Sequence, residues 1–362
     1  MLEEMDGFKN KNISRLWEIS NINTTNCTPA MDPNCDGYNS SAELNDSMVK
    51  VVVPVFFGLI GFLGLVGNSL VVIVVALNPG MRSTTNILII NLAIADLLFV
   101  IFCIPFTATD YVLLYWPFGD TWCKIVQYLI IVTVCASVYT LVLMSLDRYL
   151  AVVHPIASMT VRTENHAFLA TCLAWLIILT ASIPVLIIHG EIYPSLQRPG
   201  DKSNQMFCRI RLDDWVVFQV TFFLLSYVIP LTLICGLYIC MLVRLWRGAR
   251  TSAESRRGRR RVTRLVIVVV GVFAFCWCPL QLILVAKSLN FYPLTTTSVM
   301  IQIASHVLAY MNSCVNPILY AFLSENFRKA FRKIIYCRPR YNPQGLGPPT
   351  KTTRAASSGD IL

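Results

Sequence analysis

The stretch Asn86-Ile-Leu-Ile-Ile-Asn-Leu-Ala-Ile-Ala-Asp96-Leu-Leu98 sets one carboxylate in the middle of an apolar run that extends from Ile87 to Thr109. A charge at bilayer depth costs roughly 2.5–3.5 kcal/mol on insertion scales, so Asp96 is kept for a partner or a task. Outward from this run the pattern repeats, giving seven apolar stretches at about 52–77, 87–109, 122–146, 167–188, 216–240, 262–286 and 299–322. Each is long enough to cross a hydrocarbon core of about 30 Å as a helix. Helices satisfy their own backbone groups inside lipid, which predicts an all-α membrane protein: a seven-transmembrane helix bundle.

Composition agrees. The chain is 55% apolar and 14% charged, with mean hydropathy +0.60, against roughly 25% charged for a soluble domain. No apolar run lies near Met1, so the first span is expected to act as its own signal anchor. With the N-terminus outside, the inner loops and tail hold 20 of the 30 Lys+Arg and 5 of the 20 Asp+Glu, and the outer side holds 10 and 14. That asymmetry follows the positive-inside rule and accounts for the net charge of +10 without nucleic acid. The implied division is an extracellular segment over 1–50, a membrane domain with a surface helix over 51–335, and a cytoplasmic tail over 336–362.

The first 50 residues carry five Asn-x-Ser/Thr sequons, at Asn12, Asn23, Asn26, Asn39 and Asn45, which predicts a glycosylated, irregular outer segment. An Asn-rich tail with unused sequons is the alternative. Of the thirteen cysteines, those inside apolar runs are read as packing residues. Cys123 opens the third span and Cys208 lies in the long outer loop, both on the oxidising side. A bridge between them would close a loop of about 85 residues and stabilise by about 4 kcal/mol in the chain-entropy model. Whether Cys27 and Cys35 form a second bridge is left open, and no spacing suggests zinc.

Seven spans alone fit a receptor, a light sensor or a transporter, and the motifs separate them. Span one holds Gly67-Asn68, span two Leu92-Ala-Ile-Ala-Asp96, and span three ends in Asp147-Arg148-Tyr149. Span four carries Trp175, and span five carries Pro230 and Tyr238. Span six reads Phe273-Ala-Phe-Cys-Trp277-Cys278-Pro279, and span seven ends Asn316-Pro317-Ile-Leu-Tyr320. Pro230, Pro279 and Pro317 each remove a backbone hydrogen bond, so each loosens or kinks a helix within the membrane. In order, these motifs resemble the rhodopsin-like G-protein-coupled receptors, from about residue 50 to 337.

The resemblance implies roles. Asp96, Ser137, Asn312, Ser313 and Asn316, with Asn68 close by, would converge on a pocket that holds Na⁺ in the inactive state, or on a water-bridged network without an ion. Asp147 would hold Arg148 until activation frees it for a heterotrimeric G protein, with Tyr238 and Tyr320 packing nearby. Phe273, Trp277, Pro279 and Pro317 would transmit the change. Where rhodopsin has a glutamate at the inner end of span six, this chain has Arg259, which implies a weaker inner lock, with Thr263 a candidate member, and some basal activity. The short, arginine-rich third inner loop leans toward inhibitory G proteins and offers a contact for anionic membrane lipid.

Past Tyr320, Phe327, Ala330, Phe331, Ile334 and Ile335 share one helical face, and Arg328, Lys329, Arg332 and Lys333 the other. This predicts an amphipathic helix on the inner membrane surface, with Cys337 as a palmitoylation site beside it. Thr352, Thr353, Ser357 and Ser358 in the tail are candidate phosphosites for arrestin.

For the ligand, Ile130 stands where aminergic receptors put an aspartate, and Tyr310 where opsins put the retinal lysine. Met81-Arg-Ser-Thr-Thr-Asn86, Cys103-Ile-Pro-Phe-Thr-Ala-Thr-Asp-Tyr111, Tyr115-Trp-Pro-Phe-Gly119, the stretch from Arg247 to Leu265 and Leu323-Ser-Glu-Asn-Phe-Arg-Lys-Ala-Phe331 resemble the galanin and allatostatin-A receptors. The resemblance is closest to the arthropod allatostatin-A receptors. Their ligands are short amidated neuropeptides ending in Phe-Gly-Leu-amide. Asp110, Tyr111, Trp116, Phe207, Arg209, Gln281, Leu284, His306 and Tyr310 would line the outer site. Galanin receptors often carry histidine where Gln281 stands, which disfavours galanin itself, and a kisspeptin-like peptide is a further alternative. A transporter would need inverted repeats or a polar path through the bilayer, and only Asp96 is charged there. No nucleophile–base constellation points to an enzyme. The implied location is the plasma membrane.

Overall fold

The structure, a computed structural model, describes residues 35–78, 83–113, 115–192, 206–210, 215–247, 253–293, 295–323, 327–330 and 332. Asn12, Asn23, Asn26, Cys27, Cys337 and the tail phosphosites lie outside those residues, as do the side chains of Cys35, Asn39, Asn45, Arg259 and Thr263.

The first span is the helix Cys35–Leu77, apolar from Val49 onward. The second is Thr84–Phe102 continued by Ile104–Leu113, and the third is Asp120–Val153. A short inner-loop helix, Pro155–Val161, leads to the fourth span, Glu164–Ala181 with Pro184–Ile188. The fifth runs from Trp215 to Arg247, the sixth is Ala253–Ser288 and the seventh Thr296–Leu323. The first helix begins at Cys35, well ahead of the start expected at residue 52, although Gly37, Asn39, Ser40, Ser41, Asn45 and Asp46 are poor helix formers.

Six of these helices are long and apolar enough to cross a membrane. The seventh span, at 28 residues, has the length but not the same apolarity. Its Ser305, Asn312, Ser313 and Asn316 are buried against the bundle, so its polar groups face protein and not lipid. It packs on the first, second and sixth spans, and the third span sits centrally against the second, fourth and fifth.

The prolines shape the helices and leave carbonyls to be satisfied. Pro317 has no N–H for the carbonyl of Ser313, and Asn68 Nδ2 from the first span donates to that oxygen at 2.8 Å. Gly67 permits the approach, since a Cβ there would stand 3.1 Å from the Pro317 ring. In the fifth span a π-turn over Leu224–Val228 precedes Pro230, with Ile229 N–H bonded to the Leu224 carbonyl. The next carbonyl in that register, Leu225, receives the Tyr139 hydroxyl from the third span at 3.1 Å. At Pro317 and Pro230, then, a side chain from another span takes up the carbonyl that the proline leaves unserved.

Outside the bundle, β1 (His189–Ile192) and β2 (Phe207–Ile210) form an antiparallel hairpin with Cys208 opposite Glu191. The disulfide Cys123–Cys208 is formed and ties that hairpin to the head of the third span. The Glu191 amide donates to Asp120 Oδ1 at 2.8 Å and the Trp116 amide to the Met206 carbonyl at 2.7 Å, fixing its edges. On the opposite side of the bundle, residues 327–330 are helical, with Phe327 and Ala330 buried and Arg328, Lys329 and Arg332 exposed, as the amphipathic reading requires.

Candidate functional site

Three clusters of the expected residues lie along the bundle axis. The outer one is built on the extension of the second span beyond Cys103. Asp110 there receives Arg209 Nη1 of β2 at 3.1 Å and 3.3 Å. The same guanidinium donates to the Cys208 carbonyl at 2.8 Å and lies 5.9 Å from the Phe207 ring centroid. Tyr111, the next residue, places its hydroxyl 3.3 Å from His306 Nδ1. That nitrogen is 3.0 Å from the Gln302 carbonyl, which only accepts, so Nδ1 carries the proton. Tyr310 donates to Thr107 Oγ1 at 3.0 Å. Six of the nine expected ligand residues, Tyr310 among them, thus lie together, and Leu284 packs on the core.

Two depart from expectation. Trp116 is 4% exposed and turned into the outer loop, packing among Phe106 and Phe118 with Nε1 donating to the Gly119 carbonyl. Its role is to shape the loop that receives the hairpin. Gln281 is 1% exposed and donates to Ser226 Oγ at 3.1 Å, holding the sixth span to the π-turn of the fifth. Its Oε1 has no partner among the described residues, which leaves one acceptor available.

From the outer patch, rings continue inward. Tyr310 meets Phe57 at 5.2 Å and Phe99 at 5.1 Å, Phe99 meets Trp277 at 6.1 Å, and Trp277 meets Phe273 at 6.2 Å. Phe273 in turn faces Tyr227, whose hydroxyl donates to the Ala274 carbonyl at 2.8 Å beside the Pro279 kink. Edge and tilted ring contacts of this kind are close-packed and transmit displacement poorly only where a void intervenes.

The middle cluster surrounds Asp96, which is 1% exposed. Its carboxylate accepts from Ser137 Oγ at 3.2 Å, Ser313 Oγ at 3.1 Å and Asn316 Nδ2 at 2.8 Å. Asn312 is buried but makes no hydrogen bond to Asp96, so the expected set of five is a carboxylate with three donors. Asn68, Asn312 and Asn316 each keep a buried Oδ1 without a donor. A carboxylate among neutral oxygens fits a hard monovalent cation, which would supply the missing positive charge.

At the inner end, Arg148 Nη2 lies 2.9 Å from Asp147 Oδ2, as the motif implies. Tyr320 is 1% exposed, its ring 5.9 Å from Phe327 of the surface helix, and Tyr238 packs half-buried on the same core.

Several members were not found from the sequence. Asn91 accepts from Trp175 Nε1 at 2.7 Å and donates to Thr140 Oγ1 at 2.6 Å, joining three spans. Lys287 donates to Gln302 Oε1 at 2.7 Å across the outer ends of the last two spans. Asp147 also receives Thr85 and Arg162. Asn91 stands five residues before Asp96, which puts it on a different face of the second span, toward the third and fourth spans.

Comparison with known proteins places this geometry. The family model described as "7 transmembrane receptor (rhodopsin family)" matches residues 67–320. The allatostatin-A receptor of Bombyx mori is 62% identical over 339 residues, covering 91% of this chain and 93% of that protein. Human galanin receptor type 1 is 41% identical over 295 residues, covering 80% and 83%. The Caenorhabditis elegans galanin-like G-protein coupled receptor npr-9 is 38% identical over 320 residues, covering 79% and 74%.

Proposed function

Because the chain belongs to the rhodopsin family of seven-transmembrane receptors, we propose that it is a receptor for a short amidated neuropeptide of the allatostatin-A type. It is not an enzyme. The observation that carries the ligand is the 62% identity to an allatostatin-A receptor, which runs over 91% of the chain. The outer patch suits such a peptide. Asp110, Tyr111, Arg209 and His306 offer donors and acceptors over an aromatic floor of Phe57 and Tyr310.

In this reading the peptide enters beside the β1–β2 hairpin and displaces Tyr310, and the ring series relays the shift to Trp277 and the Pro279 kink. The inner half of span six then swings outward, Arg148 leaves Asp147, and a heterotrimeric G protein, of the inhibitory class, binds the opened face. Asp96, Ser137, Ser313 and Asn316 would hold a Na⁺, whose positive charge would favour the closed state. The N-terminus is extracellular, the membrane is the plasma membrane, and the sequons carry glycan. Cys337 is palmitoylated, the basic inner loop and surface helix contact anionic lipid, and arrestin reads the phosphorylated tail. A galanin-like ligand is the second reading, favoured by the 41% identity to human galanin receptor type 1.

The test expresses the chain with a promiscuous G protein and follows calcium under a panel of amidated peptides. A nanomolar response to Phe-Gly-Leu-amide peptides, lost with the free acid, is expected. A response to galanin alone would move the ligand to the second reading.

A further inference from the structure

The Asp147 carboxylate, 4% exposed, holds two cations and a hydroxyl. Arg148 gives it one ion-pair contact, Nη2 to Oδ2 at 2.9 Å, and the Arg148 Nε has no partner among the described residues. Arg162 gives it two hydrogen bonds, Nε to Oδ1 at 2.7 Å and Nη2 to Oδ2 at 3.2 Å. Thr85 of the second span adds a third donor at 3.1 Å. Arg162 is itself anchored from two sides. Its amide caps the helix Pro155–Val161 through the Ser158 carbonyl at 2.8 Å, and its carbonyl accepts from Thr84 Oγ1 at 3.3 Å.

We propose that Arg162 is a positioning residue for the switch: it keeps Asp147 neutralised when Arg148 departs, and so lowers the cost of releasing Arg148. The inference rests on the receptor reading of Arg148 given above. Removing one partner of a buried ion pair leaves the other charge uncompensated, and that residual charge is what makes breaking such a pair costly. Here the charge left behind is already held by a planar fork matched to a carboxylate, with a hydroxyl beside it. The pair is shared, so Arg148 leaves a satisfied site. The second inner loop thereby sets how easily the receptor activates, and it does so without touching ligand. The restraint on Arg148 from Asp147 is a single ion-pair contact, in a chain with Arg259 where rhodopsin has a glutamate on span six.

The test is a thermal-unfolding cycle on the purified full-length receptor in detergent, with Arg148→Ala, Arg162→Gln and the double variant, each with Asp147 and with Asp147→Asn. Either single change should lower Tm by no more than about 3 °C, and the double by clearly more than the sum of the two. With Asp147→Asn the excess should vanish. Additive shifts with Asp147 present, or a full loss from Arg148→Ala alone, would overturn the proposal. A parallel G-protein activation assay should show lower basal signalling and a peptide potency about tenfold weaker for Arg162→Gln, with Arg162→Lys partly restored. Raised basal signalling in Arg162→Gln would also overturn it. A wild-type receptor silent to every peptide, with the excess coupling intact, would sink the receptor reading and leave the charge sharing standing.

Discussion

Asn68 donates its Nδ2 proton to the carbonyl oxygen of Ser313 at 2.8 Å, and that carbonyl is the one Pro317 cannot serve. The same side chain reaches its own helix at the Gly64 carbonyl, 2.9 Å away. Asn68→Ala therefore strands a buried acceptor and should cost about 1–3 kcal/mol of stability. In a Pro317→Ala background, where a backbone N–H returns, the same change should cost much less. Thermal unfolding of the four proteins reads the difference directly.

The Asp110–Arg209 pair is half exposed, with side chains 30% and 50% accessible, so its contribution to folding is small, about 0–1 kcal/mol. In the proposed receptor its position at the outer patch would make it a recognition element. Asp110→Asn and Arg209→Gln should each weaken peptide potency by about tenfold while leaving Tm nearly unchanged. Concentration–response curves at matched surface expression, beside melting curves, separate these effects. Equal losses in both measurements would return the pair to a structural role.

His189 closes the fourth span, 5% exposed, with Nδ1 3.1 Å from the Val185 carbonyl and its ring edge-on to Phe218. Burial pushes its imidazole from the ordinary 6.5 down to about 4. The folded protein therefore resists a proton that the unfolded chain accepts. Stability from this site is complete above about pH 6.5, falls as the pH drops toward 4, and is lost below that. The full difference is about 3 kcal/mol. Melting curves between pH 7.5 and about 4.5 should decline, and His189→Phe should flatten part of that decline.

Sodium should oppose the peptide. Replacing choline with Na⁺ is expected to weaken agonist binding by about fivefold or more, through a coupling between two sites. Asp96→Asn should abolish the difference, because the carboxylate and its Ser137, Ser313 and Asn316 partners form the only charged centre of that cluster among the described residues. Radioligand competition in the two salts decides it.

The spans, the disulfide and the kinks were legible because each rests on a local or compositional rule: apolar length, cysteine placement, a missing proline N–H. Asp96 was legible for the same reason, as a charge that lipid would not tolerate. The partners of those features were harder to see. Nothing near Tyr139 announces that it serves Leu225, since the need arises from Pro230, in another helix. Arg162 looked like one more inner-face cation, and only the fold brings it to Asp147. Trp116 is 4% exposed and packs in the loop, a placement that an aromatic beside the mouth does not reveal in sequence. Asn312 lies on the same face as Asn316, one turn away, yet only Asn316 and Ser313 of that helix bond the Asp96 carboxylate among the described residues.

The meeting of the first, second and seventh spans has no slack. A Cβ at Gly64 would come within 2.8 Å of Val100 and 3.2 Å of the Cys314 sulfur, and that thiol already donates to the Ile60 carbonyl at 3.0 Å. The fifth and sixth spans meet differently, through a π-turn and capped kinks. In the proposed activation step the first group would be a stator and the second a rotor. A saturation library scored for surface expression should show the stator as a dark stripe through Gly64, Gly67, Val100 and Cys314, intolerant even of a methyl group. The rotor should tolerate change in abundance while losing its response.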